Sequence, residues 1–290
     1  MNHRIIFTIL ASLLLILSSC NKDKQLVDIT VNLSGLEYDI IPDAKTSATE
    51  AYVNRIAFAI YDAQGNQTYS TTQTEDDQDF ATINTSIPVG EYTFVVVAHC
   101  GIEDSDPAAV IASATSATFN QNTFPYLFTK VESVTISGNT SQTVQINMGR
   151  RKSSSFQVKI TDPTPEDVAS LQLIVSPTQS IPTAYSINPT TGFAPSDWKY
   201  QKTFPRSHYD DNTFSNHTIA LGIMLTDTEQ QLDITINALD ADGSVLYTRT
   251  KTGVTFRQAS TTRAQGTFFS STADGSLIFD TTEGYIDITL

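Results

Sequence analysis

The sequence predicts an all-β protein built from two β-sandwiches in tandem. Apolar residues recur at every second position along most of the chain, the pattern of strands that bury one face and expose the other. Two distant segments share one hairpin design, and a basic stretch divides the chain into two halves of domain size. Roughly 270 residues follow the N-terminal segment, which is enough for two ordinary domains.

The first element is a predicted export signal, residues 1–19. A short basic region with Arg4 precedes the run 5–17, which is apolar except for Thr8 and Ser12. A helix of that length spans about 20 Å, too short for a bilayer core of ~30 Å, so the run is a signal-peptide segment and not a membrane anchor.

The segment Leu17-Ser-Ser-Cys20 resembles the bacterial lipobox, in which small residues precede a cysteine that is lipidated before the signal is cut. The alternative is an ordinary secretory signal with an incidental cysteine. We expect a covalent diacylglycerol and an N-acyl lipid on Cys20, and no other cofactor. Residues 20–25 then form a polar tether below the first domain.

Strands fill the two predicted domains, 26–149 and 150–290, whose boundary lies near the basic cluster 149–153. One short helix is expected among them, with Asp106 as N-cap and Pro107 as its first residue. The alternating apolar positions are Val27/Ile29/Val31/Leu33, Ile56/Phe58/Ile60, Val144/Ile146/Met148, Phe156/Val158/Ile160 and Leu232/Ile234/Ile236/Ala238.

Two hairpins are predicted in segments 56–69 and 234–247. In each, a strand runs into Asp-Ala-x-Gly and a second strand leaves it, with Gly65 or Gly243 supplying a positive φ at the turn. The repeated design suggests that each half of the chain contains one sandwich.

The run from Tyr92 to Ala98 is predicted to be a strand buried on both faces, entered through the turn Pro88-Val-Gly90. His99 and Cys100 follow it. A histidine beside a cysteine could be a reactive pair or half of a metal site, but no second cysteine or metal-spaced partner accompanies it. A packed thiol beside a histidine at the rim is therefore favoured.

A long polar stretch, roughly 188–216, is predicted to be an irregular loop outside the core, and it is rich in aromatic residues. If several of the rings are exposed on one face, they could stack on sugar rings or fill pockets on a protein partner. Alternatively, the rings fold back over the sandwich. The residues are Trp198, Tyr200, Phe204, Tyr209 and Phe214.

Motifs with known chemistry do not form a consistent set. Ser196-Asp-Trp-Lys199 fits S-x-x-K and Lys251-Thr-Gly253 fits K-T-G, but the surroundings are not helical and the remaining motif of that enzyme class is missing. Asp240-Ala-Asp-Gly243 begins like a calcium loop but lacks the later ligands, so a hairpin turn is favoured. The acidic run 75–79 is interpreted as a solvated loop. We therefore expect no catalytic residue, no metal site and no enzymatic activity.

Charge excludes one class of partner. The chain carries 17 Lys and Arg against 31 Asp and Glu, a formal net charge of −14, which argues against nucleic acid as a partner. The same charge argues against electrostatic adhesion to an anionic bilayer and leaves the lipid as the means of attachment. Once Cys20 is acylated, Cys100 has no partner for an intramolecular disulfide.

Several of these segments together resemble the fimbrillin-type lipoproteins of Bacteroidetes, nearest to the anchor subunits of the FimB/Mfa2 family. The resemblance covers essentially the whole chain and is a pattern of strands and turns without an active-site motif. The segments that carry it are the lipobox 17–20, the strand 55–62 with its Gly65 turn, the strand 87–98, Arg150 and Arg151 opening a strand, and the late segment 263–269.

The resemblance implies two tandem transthyretin-like (Greek-key) β-sandwich domains after a lipoprotein signal peptide. It also implies assembly by strand donation, in which an extended segment of one subunit completes the sheet of the next. Stalk subunits of this type are cut after an Arg or Lys in the first sandwich, whereas anchors stay uncut. Arg55 lies in a predicted strand, out of reach of a protease, but Lys45 lies in a polar stretch and could be a processing site.

We therefore expect a lipid-anchored fimbrial subunit of the outer membrane, exposed at the cell surface, whose partners are fimbrial stalk subunits. The alternating C-terminal segment Gly284–Leu290 is the candidate donated strand, with Tyr285, Ile286, Asp287 and Leu290 as its residues. The alternative is a surface lipoprotein that binds glycans through the aromatic loop near 198–214.

Overall fold

The computed structural model describes residues 25–36, 53–101, 107–119, 126–138, 140–176, 182, 184–270 and 278–282. Nine strands precede residue 150: β1 Leu26–Ser34, β2 Arg55–Asp62, β3 Gln67–Thr74, β4 Thr82–Pro88, β5 Gly90–His99, β6 Val110–Ser113, β7 Ser116–Phe119, β8 Leu127–Ile136 and β9 Gln142–Asn147. Nine follow: β10 Ser154–Ile160, β11 Ser170–Ser176, β12 Tyr185–Ile187, β13 Tyr200–Pro205, β14 Thr218–Ile223, β15 Glu229–Leu239, β16 Val245–Arg257, β17 Thr261–Gly266 and β18 Ile278–Thr282. A short 3₁₀ helix, Arg206–His208, is the one helical element of the described residues.

The first sandwich packs the sheet β4-β1-β9 on the sheet β3-β2-β5-β8. β1 is the central strand of its sheet, antiparallel to β4 and parallel to β9. One continuous apolar cluster fills the space between the sheets. Its members come from the alternating positions of both sheets, such as Ile29 and Val31 on β1 and Phe58 and Phe94 opposite.

The second sandwich repeats the same order of strands. β14-β10-β17 matches β4-β1-β9, including the parallel pair, and β13-β11-β15-β16 matches β3-β2-β5-β8. The all-β fold with two tandem Greek-key sandwiches is therefore confirmed. Residues 148–153 connect β9 to β10, and the domain limits 26–149 and 150–290 stay a prediction.

β2 and β5 are apolar on both faces because a layer covers each face of their sheet. Phe58 and Phe94 face the first-sandwich core, whereas Ala59, Tyr61 and Val95 face the β6–β7 hairpin, where Ile111 packs on them. A strand buried on two sides loses the polar half of the alternation. The predicted two-sided strand at 92–98 is thereby confirmed from Phe94 onward.

Both predicted hairpin turns are present. Gly65 has φ +81° and Gly243 has φ +82°, and each donates its N–H to the carbonyl of Asp62 or Asp240. The carboxylate of each aspartate accepts two further backbone N–H groups of its own turn. However, β2–β3 are the second and third strands of their sandwich and β15–β16 are the fifth and sixth. The shared sequence specifies a local turn and not an equivalent position.

A third small sheet, β12-β7-β6, joins the two halves of the chain. The β6–β7 hairpin lies between β5 and β8 of the first sandwich, and β12 lies between β11 and β13 of the second. β12 and β7 pair antiparallel through Tyr185↔Phe119, Ser186↔Thr118 and Ile187↔Ala117. Ala57, Val97 and Phe119 consequently belong to the same apolar cluster as the second-sandwich core.

Two predicted elements are wrong. The expected helix at 107–112 is replaced by strand β6, because Val110 and Ile111 pair with β7 and six residues are too few for a stable helix. The stretch 188–216 is not an irregular loop outside the core, because it contains β13, which pairs with β11 over six residues.

No helix in the described ranges is long and apolar enough to cross a membrane.

Candidate functional site

The edge formed by the seventh strand of each sandwich differs between the two halves. In the second sandwich, β18 lies antiparallel on β17, with Gln265↔Ile278 at one end and Thr261↔Thr282 at the other. In the first, β9 pairs with β1 on one side and with no strand of the described residues on the other. An unpaired strand edge presents N–H and C=O groups to which another extended segment can add.

The chain is fixed to the second sandwich just before it reaches β18. The carboxylate of Asp162, directly after β10, accepts the backbone N–H groups of Phe268, Phe269 and Ser270 at 2.7–2.9 Å. Phe268 is completely buried and packs edge-on against Phe269. This three-bond clamp sets where the segment after β17 leaves the core.

The last described residue, Thr282, lies at the end of the second sandwich that touches the first. It pairs with Thr261, whose neighbour Ser260 accepts a hydrogen bond from the Arg151 guanidinium at 3.1 Å. The same guanidinium lies 5.9 Å above the ring of Tyr126, which follows β7. The chain beyond Thr282 therefore starts beside the junction of the two sandwiches.

The sequence suggested that Arg151 opens a strand, but the structure differs. β10 begins at Ser154, and Arg151 lies ahead of it, 5% exposed, between the two sandwiches. A guanidinium that donates in several directions suits such a junction better than a strand position.

Several predicted site residues lie outside the described ranges. They are the lipidation site Cys20 with the signal and tether, the possible processing site Lys45, and the donated-strand residues Tyr285, Ile286, Asp287 and Leu290. The expected terminal strand is preceded by one that sequence reasoning missed, β18. The turn signal Asp274-Gly275 before the apolar run Leu277-Ile-Phe279 could have revealed it.

The match to a family model decides the relationship of the chain. Residues 17–257 match the family described as "Fimbrillin-A associated anchor proteins Mfa1 and Mfa2". The chain belongs to this family. The matched range includes Cys20 and both sandwiches as far as β16, and it ends before β17.

The chain is also similar to solved structures of low sequence identity. A Bacteroides thetaiotaomicron protein of the DUF1812 group is 13% identical, with a TM-score of 0.49 over 83% of this chain and 91% of its own. The tip fimbrial protein Mfa3 of Porphyromonas gingivalis is 11% identical, with 0.45 over 89% and 99%. The fimbrial anchor protein Mfa2 of the same organism is 13% identical, with 0.42 over 88% and 95%. No curated protein sequence matches the chain significantly.

Membership of the Mfa2 family makes the chain a fimbrial anchor or subunit. It is accordingly a fimbria-associated protein of the cell surface that associates with other fimbrial subunits. The family points to a structural role.

The aromatic residues offered as a binding surface in this Mfa2-family chain are largely in the core. Trp198, Tyr200 and Tyr209 are at most 8% exposed, and Phe214 is completely buried. Tyr185 stacks on Tyr200 with ring centroids 5.2 Å apart and meets Trp198 edge-on at 5.3 Å. The interpretation as an exposed stacking surface is therefore corrected, because burying these large rings is more favourable than leaving them in water.

The hydroxyl groups of these rings are satisfied inside the protein. Tyr200 donates to the carbonyl of Met224 at 2.9 Å, and Tyr185 donates to that of Lys199 at 2.8 Å. Burial raises the pKa of Tyr200 well above its ordinary value, and it raises the pKa of Tyr185 and Tyr209 to about 12. All three phenols stay protonated at physiological pH, and Tyr185 and Tyr200 act as hydrogen-bond donors.

Phe204 is the one half-buried member of the group. It lies on β13, and the ammonium of Lys202 lies 5.2 Å from its ring centroid. A single ring already covered by a lysine on its own strand offers little area for stacking on a sugar.

The pair His99–Cys100 is buried and structural. His99 is completely buried, not at the rim, and its Nε2 accepts the N–H of Ala109 at 3.1 Å. Its ring meets Phe119 edge-on at 5.4 Å, so it holds the segment that leads into the β6–β7 hairpin. Cys100 is 5% exposed, and its thiol donates to the carbonyl of Gly101 at 3.3 Å.

The remaining motifs belong to turns and strands. Ser196 and Lys199 lie in an irregular segment, and Lys251 lies on β16, where the Gly253 N–H donates to Asp233 at 2.9 Å. In the acidic run, Asp77 accepts the N–H of Thr74 at 2.7 Å and closes a turn. Within the described ranges, no three His, Cys, Asp or Glu side chains converge as metal ligands would.

Proposed function

We propose that the protein is a non-enzymatic, lipid-anchored fimbrial subunit that holds a fimbria to the outer membrane. The family match over residues 17–257 carries this proposal, because it covers the first sandwich, the second as far as β16, and the predicted lipobox cysteine. Attachment and assembly then have separate structural requirements: a lipid at Cys20 and a strand that pairs with a stalk subunit.

Cys20 supplies the attachment. Two acyl chains on the sulfur-linked glycerol and a third on the amino group give an anchor that is far stronger than a single chain. The strongly acidic protein gains nothing from an anionic surface, so the lipid and not charge retains it.

Replacing Cys20 by Ala should therefore release the protein from the membrane fraction and abolish palmitate labelling. Cys100→Ala is the matched control, because Cys100 is a buried thiol, and this variant should stay membrane-bound and labelled. Continued labelling of Cys20→Ala would contradict lipidation at this residue.

The chain beyond β18 supplies the connection to a stalk subunit. β18 demonstrates within this molecule that the edge beside a seventh strand accepts an antiparallel segment of five residues. The following residues, 284–290, alternate in character and can pair in the same way with the edge of another subunit, where main-chain hydrogen bonds give affinity and alternate side chains give specificity.

Deleting residues 284–290 should leave the protein folded and membrane-bound but unable to retain fimbriae on the cell. The deletion begins after β18, so the second sandwich keeps its edge strand. The measurement is the amount of fimbrial protein on cells compared with that shed into the medium, and retained fimbriae would refute the donated-strand part of the proposal.

The start of the mature chain separates an anchor from a polymerising subunit. N-terminal analysis of the protein from cells should find an acylated Cys20. A start at Thr46 would instead mean that the chain is cut after Lys45 and would overturn the anchor role.

A further inference from the structure

Two strongly exposed apolar residues lie at the end of the first sandwich where the described chain begins. Leu26, the first residue of β1, is 61% exposed, and Val89, between β4 and β5, is 47% exposed. Leu26 stands directly opposite Pro88 in the β1–β4 pair, and Val89 is the residue that follows Pro88. Directly opposite residues in such a pair have Cβ atoms about 5 Å apart. We call Leu26 and Val89 the N-terminal apolar pair.

The turn that presents Val89 is braced from inside. Tyr92, 7% exposed, donates its hydroxyl hydrogen to the carbonyl of Pro88 at 2.8 Å. Its ring lies against Gly90, where an added Cβ would already be 3.4 Å from a ring carbon. The tyrosine and the proline hold the turn in one shape, so Val89 is exposed by a fixed backbone.

The position of this end relative to a membrane follows from the tether, and this step rests on the proposed lipidation. Gln25 is the first described residue, five positions after Cys20. Five extended residues reach at most about 18 Å. A lipid on Cys20 therefore keeps this end of the sandwich within roughly 18 Å of the bilayer boundary.

We propose that the N-terminal apolar pair inserts into the headgroup boundary of the membrane that holds the lipid, so that this end of the first sandwich rests on a zwitterionic lipid surface. The contact depends on apolar side chains and not on charge, because the protein carries a net charge of −14. The charged group nearest to Leu26 on β1 is also acidic: the carboxylate of Asp28, which accepts a hydrogen bond from Ser86. High salt therefore leaves the contact unchanged.

A second exposed apolar pair provides a matched control. Val245 is 55% and Leu246 37% exposed, where the β15–β16 hairpin turn meets β16. That turn lies at the end of the second sandwich opposite Ser260 and Thr261, which adjoin the junction with the first sandwich. The two pairs are similar in chemistry and differ in distance from the tether.

Quenching of tryptophan by brominated phospholipids tests the contact. The chain from Cys20 onward is coupled through the Cys20 thiol to a maleimide lipid in phosphatidylcholine vesicles; Cys100 is 5% exposed and is protected from coupling. Because the coupling is chemical, the result does not depend on natural acylation, which the palmitate labelling of Cys20→Ala tests separately. The native Trp198, 8% exposed, gives the background fluorescence that is subtracted.

We expect Val89→Trp to lose emission when brominated lipid replaces ordinary lipid, with no loss for Val245→Trp and no effect of high salt. Leu26→Ser in the Val89→Trp background should reduce the loss, and Leu26→Trp serves as a second probe of the same pair. Equal emission with both lipids for Val89→Trp and Leu26→Trp would overturn the proposal, as would equal quenching of Val245→Trp.

Discussion

Asp162 fixes the segment of the chain that follows β17. Its carboxylate accepts the three consecutive N–H groups of residues 268–270, which lie outside the strands of the described residues. Hydrogen bonds to a charged group are worth more than those between neutral groups. The strand β18 is thus attached to a segment whose position depends on one side chain.

Asp162→Ala should lower the free energy of unfolding by roughly 2–4 kcal/mol and increase proteolytic cleavage after residue 270, because three N–H groups lose their acceptor. Asp162→Asn keeps one oxygen acceptor and should have a smaller effect. Asp167 is exposed and Asp167→Ala is the control, expected to change stability by no more than about 0.5 kcal/mol. Chemical denaturation and limited proteolysis measure both effects. Equal protease sensitivity of Asp162→Ala and the wild type would contradict the clamp.

Residue identity alone predicted some of the side-chain roles and missed others. The aspartates of the two hairpin turns were predictable because Asp-Ala-x-Gly is a local signal whose partners lie within four residues. Asp162 was not, since its partners are 106 to 108 positions away in sequence. The environment of His99 was not predictable either. Its ring contacts Phe119 and its Nε2 accepts the N–H of Ala109, and both residues lie further along the chain, where the sequence did not predict how the chain folds back.

At the scale of the element, the two Asp-Ala-x-Gly turns are specified by their backbone conformation. An added Cβ at Gly65 or Gly243 would meet no atom within 4 Å, so steric contact does not require glycine there. The requirement for glycine comes from the φ values of +81° and +82°, because any residue with a side chain is strained in that region.

Gly65→Ala and Gly243→Ala should each reduce the free energy of unfolding by about 1–2 kcal/mol through this strain. Gly65→Asn and Gly243→Asn should cost less, because asparagine adopts the left-handed region more readily than alanine does. Equilibrium denaturation of the four variants gives the comparison. If alanine and asparagine were equally destabilising, the cause would not be the sign of φ.

Elements were predictable where one periodicity dominates. Alternation identified β1, β9 and β15, since each buries one face and exposes the other. It also identified β10, although the polar residues of that strand are largely buried as well. It did not identify β6 or β13, which are short and take their conformation from pairing with distant strands. The aromatic residues of 198–214 were ambiguous because ring-rich polar sequence is compatible with both an exposed surface and a core.

At the scale of the whole molecule, the sheet β12-β7-β6 makes the two sandwiches interdependent. Each sandwich contributes an insertion to it, the first between β5 and β8 and the second between β11 and β13. Tyr185 of β12 also stacks on Tyr200 of the second core. Since the apolar cluster is continuous across this layer, we expect both sandwiches to unfold in one cooperative transition.

Phe119→Ala should uncouple them. Phe119 is 3% exposed, lies opposite Tyr185 and packs on His99, so its loss creates a cavity of the kind that costs about 3–5 kcal/mol. Calorimetry should then show two transitions in place of one. Phe256→Ala, inside the core of the second sandwich, should lower the free energy of unfolding to a similar extent but leave a single transition. Two transitions in the wild type would contradict the expected coupling.

The placement of β1 has a mechanical consequence for the attachment proposed at Cys20. A pull on the tether acts at Leu26, along the axis of a strand that is held on both sides, by β4 over seven residue pairs and by β9 over six. Force in that direction loads the hydrogen bonds of both neighbours together, in shear, and does not peel them open one after another. Under the proposed lipidation of Cys20, the strand that follows the tether is therefore the one best placed to bear tension.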